Sequence, residues 1–171
     1  QMKVINCPHE QIAGHFADGH TRITRKPAVC LVGPEGFANA VPAMLEAWGE
    51  RTPVIFITGS STQKRQGSGG FKEIDDVAIA APLTKYSASI TDGTRIREFV
   101  DKAYRIATNG YPGAVHLSLP VDIMFSSFSE DAGLEERPFP EHGSTGNEQR
   151  RVAFNWVCIG LKPRIGIRVS D

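Results

Sequence analysis

Three strand-length stretches of this chain are apolar almost throughout, and that restricts its fold more than any other feature. They are Ala28-Val29-Cys30-Leu31-Val32, Pro53-Val54-Ile55-Phe56-Ile57-Thr58 and Ala114-Val115-His116-Leu117-Ser118-Leu119. The first two lack the strict apolar–polar alternation of a strand wetted on one side, so both their faces need cover, as in a parallel sheet flanked by helices. Helical spacing separates the runs. Ile12, Ala13, Phe16 and Ala17 mark a helix over residues 10–22, and a second is expected over residues 37–48, where Pro42 requires a late start or a bend. A short helix is read over residues 74–80. Another, N-capped by Asp92 and stopped at Gly110, carries the stripe Ile96, Phe99, Val100, Ala103, Ile106 and Ala107. With shorter strands at residues 2–7 and 86–90, the pattern is repeated β-α-β. The expected fold is α/β, a doubly wound, mainly parallel sheet with helices on both faces, which binds ligands beyond the carboxyl ends of its strands.

Length and charge narrow the function. A chain of 171 residues is one ordinary domain with a short extension. Lys+Arg and Asp+Glu both number 19, so no net field exists to hold nucleic acid or an anionic membrane surface. No apolar run approaches the roughly 18 residues of a membrane-crossing helix and no secretory leader is evident, which makes the cytosol the expected compartment. Cys7, Cys30 and Cys158 are scattered and odd in number, and the first two lie in apolar runs, so buried free thiols are expected. Residues 1–125 read as one domain and 126–151, acidic and rich in Pro and Gly, as a linker. Residues 152–171 read as a docked tail or the start of a truncated further domain. Gln1 opens directly into a strand-like run, from which we expect that the chain is cut from a longer one.

Glu10 follows the first strand at the ligand-binding end of such a sheet and opens a helix whose dipole favours a negative charge there. Position alone leaves two readings open, a helix-stabilising carboxylate or a catalytic acid, and makes His9 a satisfied polar neighbour. The polar loop at residues 63–70, with Lys64, Arg65 and three glycines, allows a phosphate cradle, although it does not fit G-x-x-x-x-G-K-[ST].

The run Pro8-His9-Glu10-Gln11-Ile12-Ala13-Gly14-His15-Phe16-Ala17-Asp18-Gly19-His20-Thr21-Arg22 resembles the H-E-Q-x-A-x-x-x-A-x-G-Y-x-R segment of the pyrimidine-binding domain of thiamine-diphosphate-dependent enzymes. Further blocks agree in order: Gly33-Pro34-Glu35-Gly36-Phe37-Ala38-Asn39 with the family's G-P-G-x-x-N turn, then residues 53–59, Phe71-Lys72-Glu73-Ile74-Asp75, Thr84-Lys85, and residues 113–122. The resemblance is greatest to benzaldehyde lyase, acetolactate synthases and 2-hydroxyacyl-CoA lyases, and covers residues 4–125. It implies a flavodoxin-like domain that binds the aminopyrimidine of thiamine diphosphate. It also implies that Glu10 bonds that ring and promotes loss of the cofactor's C2 proton; a carboxyl shielded from water can hold or share a proton in this way.

By the same resemblance Gly36 lies close to the ligand, Asn39 caps or orients its turn, Phe71 walls the substrate pocket, and Lys72 is either a polar contact there or a solvated residue. This chain departs from the pattern where Glu35 replaces a glycine, His20 a tyrosine, Lys72 a common glutamine and Val121 a bulky aromatic. A lysine in the pocket would favour an anionic substrate, a 2-oxo acid or an acyl-CoA. The magnesium-binding G-D-G segment of the family's diphosphate domain, and the opening strand and helix of the pyrimidine domain, have no match here, and no metal ligands are assigned. The expected partners are therefore a diphosphate-binding domain, in the same chain or another, and a carbonyl substrate, within a homo-oligomer. The expected activity is making or breaking a carbon–carbon bond beside a carbonyl, by a domain inactive alone. Kept beside this are a separate subunit of a two-chain decarboxylase, a non-catalytic phosphate- or nucleotide-binding module, and a remnant domain.

Overall fold

The computed structural model describes residues 3–70, 72–127 and 156–160. Six parallel strands, β1 (Lys3–Asn6), β2 (Ala28–Val32), β3 (Val54–Ser60), β4 (Ser87–Ser89), β5 (Val115–Pro120) and β6 (Trp156–Gly160), form one sheet in the order β1-β6-β2-β3-β5-β4. The helices are α1 (Glu10–Thr24), α2 (Pro34–Gly49), α3 (Asp76–Ala80), α4 (Ile96–Thr108) and α5 (Val121–Met124). The α/β class and the parallel sheet are as the sequence implies. The β1-α1-β2 unit leaves one strand position open between its strands, and β6 fills it, pairing Val4 with Val157 on one side and Val29 with Val157 on the other.

Successive residues of β2 and β3 serve two cores, which is why these strands lack alternation. Ala28, Cys30 and Val32 of β2 and Val54 and Phe56 of β3 join Ala13, Ala17, Phe37, Ala40, Met44 and Ala47 beneath α1 and α2. Val29, Ile55, Val115 and Leu117 face the other way, onto Ala103, Ala107, Phe99 and Val100 of α4. Cys7 and Cys30 are both buried, and burial pushes the Cys7 thiol pKa up.

Several boundaries differ from the sequence reading, each for a local reason. α2 starts at Pro34 rather than at residue 37, because a proline in the first turn forfeits a backbone donor that has no helical partner there anyway. Pro42 lies inside this helix, so the late start is not taken. β3 runs on through Gly59 and Ser60, paired with Leu119 and Pro120 of β5. α3 begins at Asp76 because Asp75 caps it, its carboxylate accepting from the Ala78 amide at 2.9 Å. Asp92 caps a 3-10 turn at Gly93–Arg95 that leads into α4, rather than α4 itself. The strand expected over residues 86–90 is only Ser87–Ser89.

At the far end of α4, the Lys85 ammonium donates to the carbonyls of Ile106, Asn109 (2.9 Å) and Tyr111 (2.6 Å), collecting acceptors that a helix end leaves unpaired. Burial lowers its pKa. Gly113 lets its stem pass, since a Cβ there would lie 2.9 Å from Lys85 Cδ.

α1 lies directly on α2. A Cβ on Gly14 would stand 2.5 Å from Ala43 Cβ, so the helices meet where residue 14 has no side chain. Nearer the C-terminal end of α1, buried Asp18 accepts a hydrogen bond from the Thr52 hydroxyl and pairs with Arg22 at 2.8 Å. Arg22 reaches across to Glu46 of α2 at 3.0 Å. Gly14→Val should cost about 1–3 kcal/mol by overpacking this contact. Gly19→Ala, on the same helix with nothing within 4 Å of its new Cβ, should be neutral or stabilising by up to about 1 kcal/mol. Urea unfolding midpoints of the two variants, measured side by side, check the contrast.

Candidate functional site

The chain turns from β1 into α1 at His9, whose extended backbone (φ −148°, ψ 146°) makes it the N-cap. Its Nδ1 accepts from the Gln11 amide at 3.2 Å, so His9 is a capping residue, in keeping with the sequence reading. Glu10 is thereby fixed as the first helical residue, half-buried at the carboxyl end of the sheet, where the helix dipole favours its carboxylate. Asn39 of α2 donates from Nδ2 to Glu10 Oε2 at 3.1 Å. Gly36, one turn earlier on α2, lies against the same side chain: a Cβ there would stand 2.6 Å from Glu10 Cγ and 3.1 Å from its Oε1. The structure thus brings Glu10, Gly36 and Asn39 together. The absent side chain at residue 36 makes room for Glu10 itself, rather than only for a ligand.

Lys72 stands in the left-handed region (φ 64°), and its ammonium pairs with the carboxylate of Glu35 in the first turn of α2. The two departures noted at residues 35 and 72 are therefore one interaction, and the positive charge of Lys72 already faces a carboxylate. Phe71, assigned to the pocket wall, lies outside the described residues. The loop that could cradle a phosphate has its own occupant. The Gly67 and Gly70 amides donate to the Glu73 carboxylate at 2.5 and 2.8 Å, and these bonds, that from Gly70 foremost, hold its carboxyl below the usual range.

Residues 1–79 match a family described as thiamine pyrophosphate enzyme, N-terminal TPP binding domain. Those residues carry the N-terminal domain of the thiamine pyrophosphate enzymes. It is 35% identical over 146 residues to the mitochondrial acetolactate synthase of Schizosaccharomyces pombe, covering 84% of this chain and 21% of that protein. With the acetolactate synthase large subunit of Lactococcus lactis it shares 33% over 165 residues, 94% of this chain and 28% of the relative. Benzoylformate decarboxylase from Polynucleobacter necessarius has the same fold over 71% of this chain and 23% of its own, with a TM-score of 0.66 and 26% identity. The chain spans about a quarter of the length of these proteins. Among the described residues of this thiamine pyrophosphate enzyme domain, no group of three or more His, Cys, Asp and Glu side chains could hold a metal ion, and no helix is long and apolar enough to cross a membrane.

One polar cluster of the domain escaped sequence reasoning. His116 of β5 is wholly buried, with Nδ1 2.8 Å from Ser87 Oγ and Nε2 2.9 Å from Thr58 Oγ1. The Thr58 hydroxyl donates its one hydrogen to Asp76 Oδ2 at 2.7 Å, so it accepts from His116 Nε2–H, while the Ser87 hydroxyl has one hydrogen for two acceptors, His116 Nδ1 and the Val77 carbonyl at 3.1 Å. The signal available was a histidine that alternates with the apolar residues of β5; its partners, on β3, β4 and α3, are close only in space.

Burial pushes the His116 pKa down to about 4, against the opposing pull of the Asp76 carboxylate. The folded value lies below the ordinary 6.5, so the unfolded chain takes up the proton first. The associated stability is fully present above about pH 6.5 and is lost as the pH falls toward 4. Between pH 7 and pH 4.5 this group should remove about 2–3 kcal/mol. Chemical denaturation across that range should show a flatter pH profile for His116→Gln than for the parent.

Proposed function

We propose that this chain is the pyrimidine-binding half of a thiamine-diphosphate-dependent enzyme that makes or breaks a carbon–carbon bond beside a carbonyl. The observation that carries the reading is the Glu10 carboxylate, held at the sheet's carboxyl end by Asn39 and fitted against Gly36. Asn39 engages Oε2, which leaves Oε1 to meet a ring nitrogen. Both residues come from α2, so the carboxyl is oriented by a rigid element rather than by a loop, as proton transfer at a fixed atom requires. In this reading Glu10 holds and exchanges the proton, Asn39 sets the direction of the carboxylate, and Gly36 keeps the approach clear. Bound thiamine diphosphate supplies the electron sink for the bond being made or broken. Its diphosphate and Mg2+ would be held by a diphosphate-binding domain in the same or another chain. Lys72 contributes to the pocket rim through its pair with Glu35.

2-Hydroxy ketones, 2-oxo acids and 2-hydroxyacyl-CoA thioesters are the substrate classes consistent with this chemistry, in a cytosolic homo-oligomer. The amides occupied by Glu73 count against the phosphate-binding alternative. The direct test follows the exchange of the cofactor's C2 hydrogen for deuterium by proton NMR, with the chain assembled on a diphosphate-binding domain. Glu10→Gln should slow exchange at least about 100-fold. Gly36→Ala should slow it about tenfold while leaving the unfolding midpoint almost unchanged, because the group it displaces is a flexible side chain. Exchange at the parental rate in Glu10→Gln would remove the proposal.

The partner surface has a physical trace. Ile12, Phe16 and Ile23 lie along one stripe of α1 and are 48, 49 and 86% exposed, with Leu45 and Trp48 of α2 also exposed. Apolar groups ranked in this way are characteristic of a surface that another domain covers. The chain alone should therefore self-associate in light scattering at high concentration, and Phe16→Ser should reduce the effect. A monodisperse monomer would contradict the assignment of this face.

A further inference from the structure

Beyond the Glu10 site, the carboxyl ends of β3, β4 and β5 form a polar floor. In the parallel register Thr58 pairs with Ser118 and Ser118 with Ser89, while His116 pairs with Ser87, so these side chains share one sheet face with Ser60. Thr58, Ser87 and His116 satisfy one another together with Asp76. Ser60, Ser89 and Ser118 instead line a cavity of about 630 Å³, bounded on its other side by Asp76 and the loop glycines Gly67 and Gly69. Neither Glu10, Gly36 nor Asn39 lines it.

Two groups in this cavity lack what burial normally demands. Ser60 Oγ is buried, in a residue only 8% exposed, and has no hydrogen-bond partner. A buried hydroxyl left in that state costs on the order of 1–3 kcal/mol unless a ligand or water meets it. Asp76 is 6% exposed, and its only ion-pair neighbour among the described residues is His116 at 3.8 Å, which is neutral near pH 7. The lining also includes Glu73 and Asp75 but no lysine or arginine. Glu73 is committed to the loop amides through both oxygens and Asp75 is exposed and caps its helix, so Asp76 is the buried carboxylate with an oxygen to spare.

We propose that this cavity is a second ligand site, selective for a small hydroxyl-rich molecule bearing an ammonium group, of which an amino sugar is the simplest class. Its volume is in the range of small-molecule sites. Serine hydroxyls both donate to and accept from sugar hydroxyls, and a buried carboxylate without a counter-cation favours an ammonium over a neutral group and excludes an anion. The site needs no cofactor and no second domain, so its failure would leave the Glu10 reading untouched.

The test uses three probes of one shape and different charge, glucosamine, glucose and glucuronate. Each is titrated into the full chain and followed by amide chemical shifts in two-dimensional NMR. Glucosamine should give saturable shifts at Ser60, Ser89 and Ser118 at a few millimolar, glucose should bind about tenfold more weakly, and glucuronate should give none. Ser60→Ala should weaken glucosamine about tenfold, and Asp76→Asn should abolish the preference for glucosamine over glucose. Should Asp76→Asn fail to fold, the comparison of the three probes and the Ser60→Ala titration decide alone. Equal binding of glucuronate, unchanged affinity in Ser60→Ala, or no saturable shift up to about 50 mM glucosamine would each overturn the proposal.

Discussion

The packing of α1 on α2 is the contact on which the rest of this domain depends. It is close because its residues are small: Gly14 meets Ala43, with Ala13, Ala17, Ala40 and Ala47 buried around them. Both helices rest on one face of the sheet, so their separation also fixes the groups at their ends. At the carboxyl end of the sheet it brings the first turn of α2 against Glu10, where Gly36 and Asn39 meet the carboxylate. At the opposite end it closes the network of Asp18, Arg22, Thr52 and Glu46. One helix pair thus joins fold stability to site geometry: at Gly14 a methyl group would force the helices apart, and at Gly36 it would displace the Glu10 side chain.

The chemistry of the site follows from what that packing leaves over. A carboxylate at a helix start is ordinarily a dipole partner, and Glu10 fills that part too. Its second oxygen and its position at the ligand-binding end of a parallel sheet separate it from an ordinary cap. The pairing of Lys72 with Glu35 changes how that lysine is understood. Read singly, the lysine suggests an anionic substrate; paired with Glu35, it forms a locally neutral link between the loop and α2.

Much of the fold was legible because it rests on patterns that are local in sequence. Both-sided apolar strands and the α4 stripe need no knowledge of distant residues, and Glu10 stood out by following a strand and opening a helix. What stayed hidden depends on contacts across the chain. Residues 28–32 carry no sign that a strand from residues 156–160 lies beside them. Lys85 stood out only as part of the Thr84-Lys85 block, and the three carbonyls around it come from the end of α4 and the turn beyond. His116 looked like a polar residue alternating with the apolar ones of its strand, and only the neighbouring strands supply its two hydroxyl partners. The early start of α2 was missed for a different reason: its proline was weighed as a helix breaker at residue 42, while the helpful proline at residue 34 was read as part of a turn.

The central claim is that the Glu10 carboxylate, as oriented by Asn39 and Gly36, receives the cofactor's pyrimidine ring. A crystal structure of this chain assembled with a diphosphate-binding domain, thiamine diphosphate and Mg2+ tests it most directly. The account predicts a ring nitrogen within hydrogen-bond distance of a Glu10 oxygen, with the Asn39 bond retained. A pyrimidine ring bound elsewhere on the domain, or a Glu10 side chain turned away from it, would contradict the account.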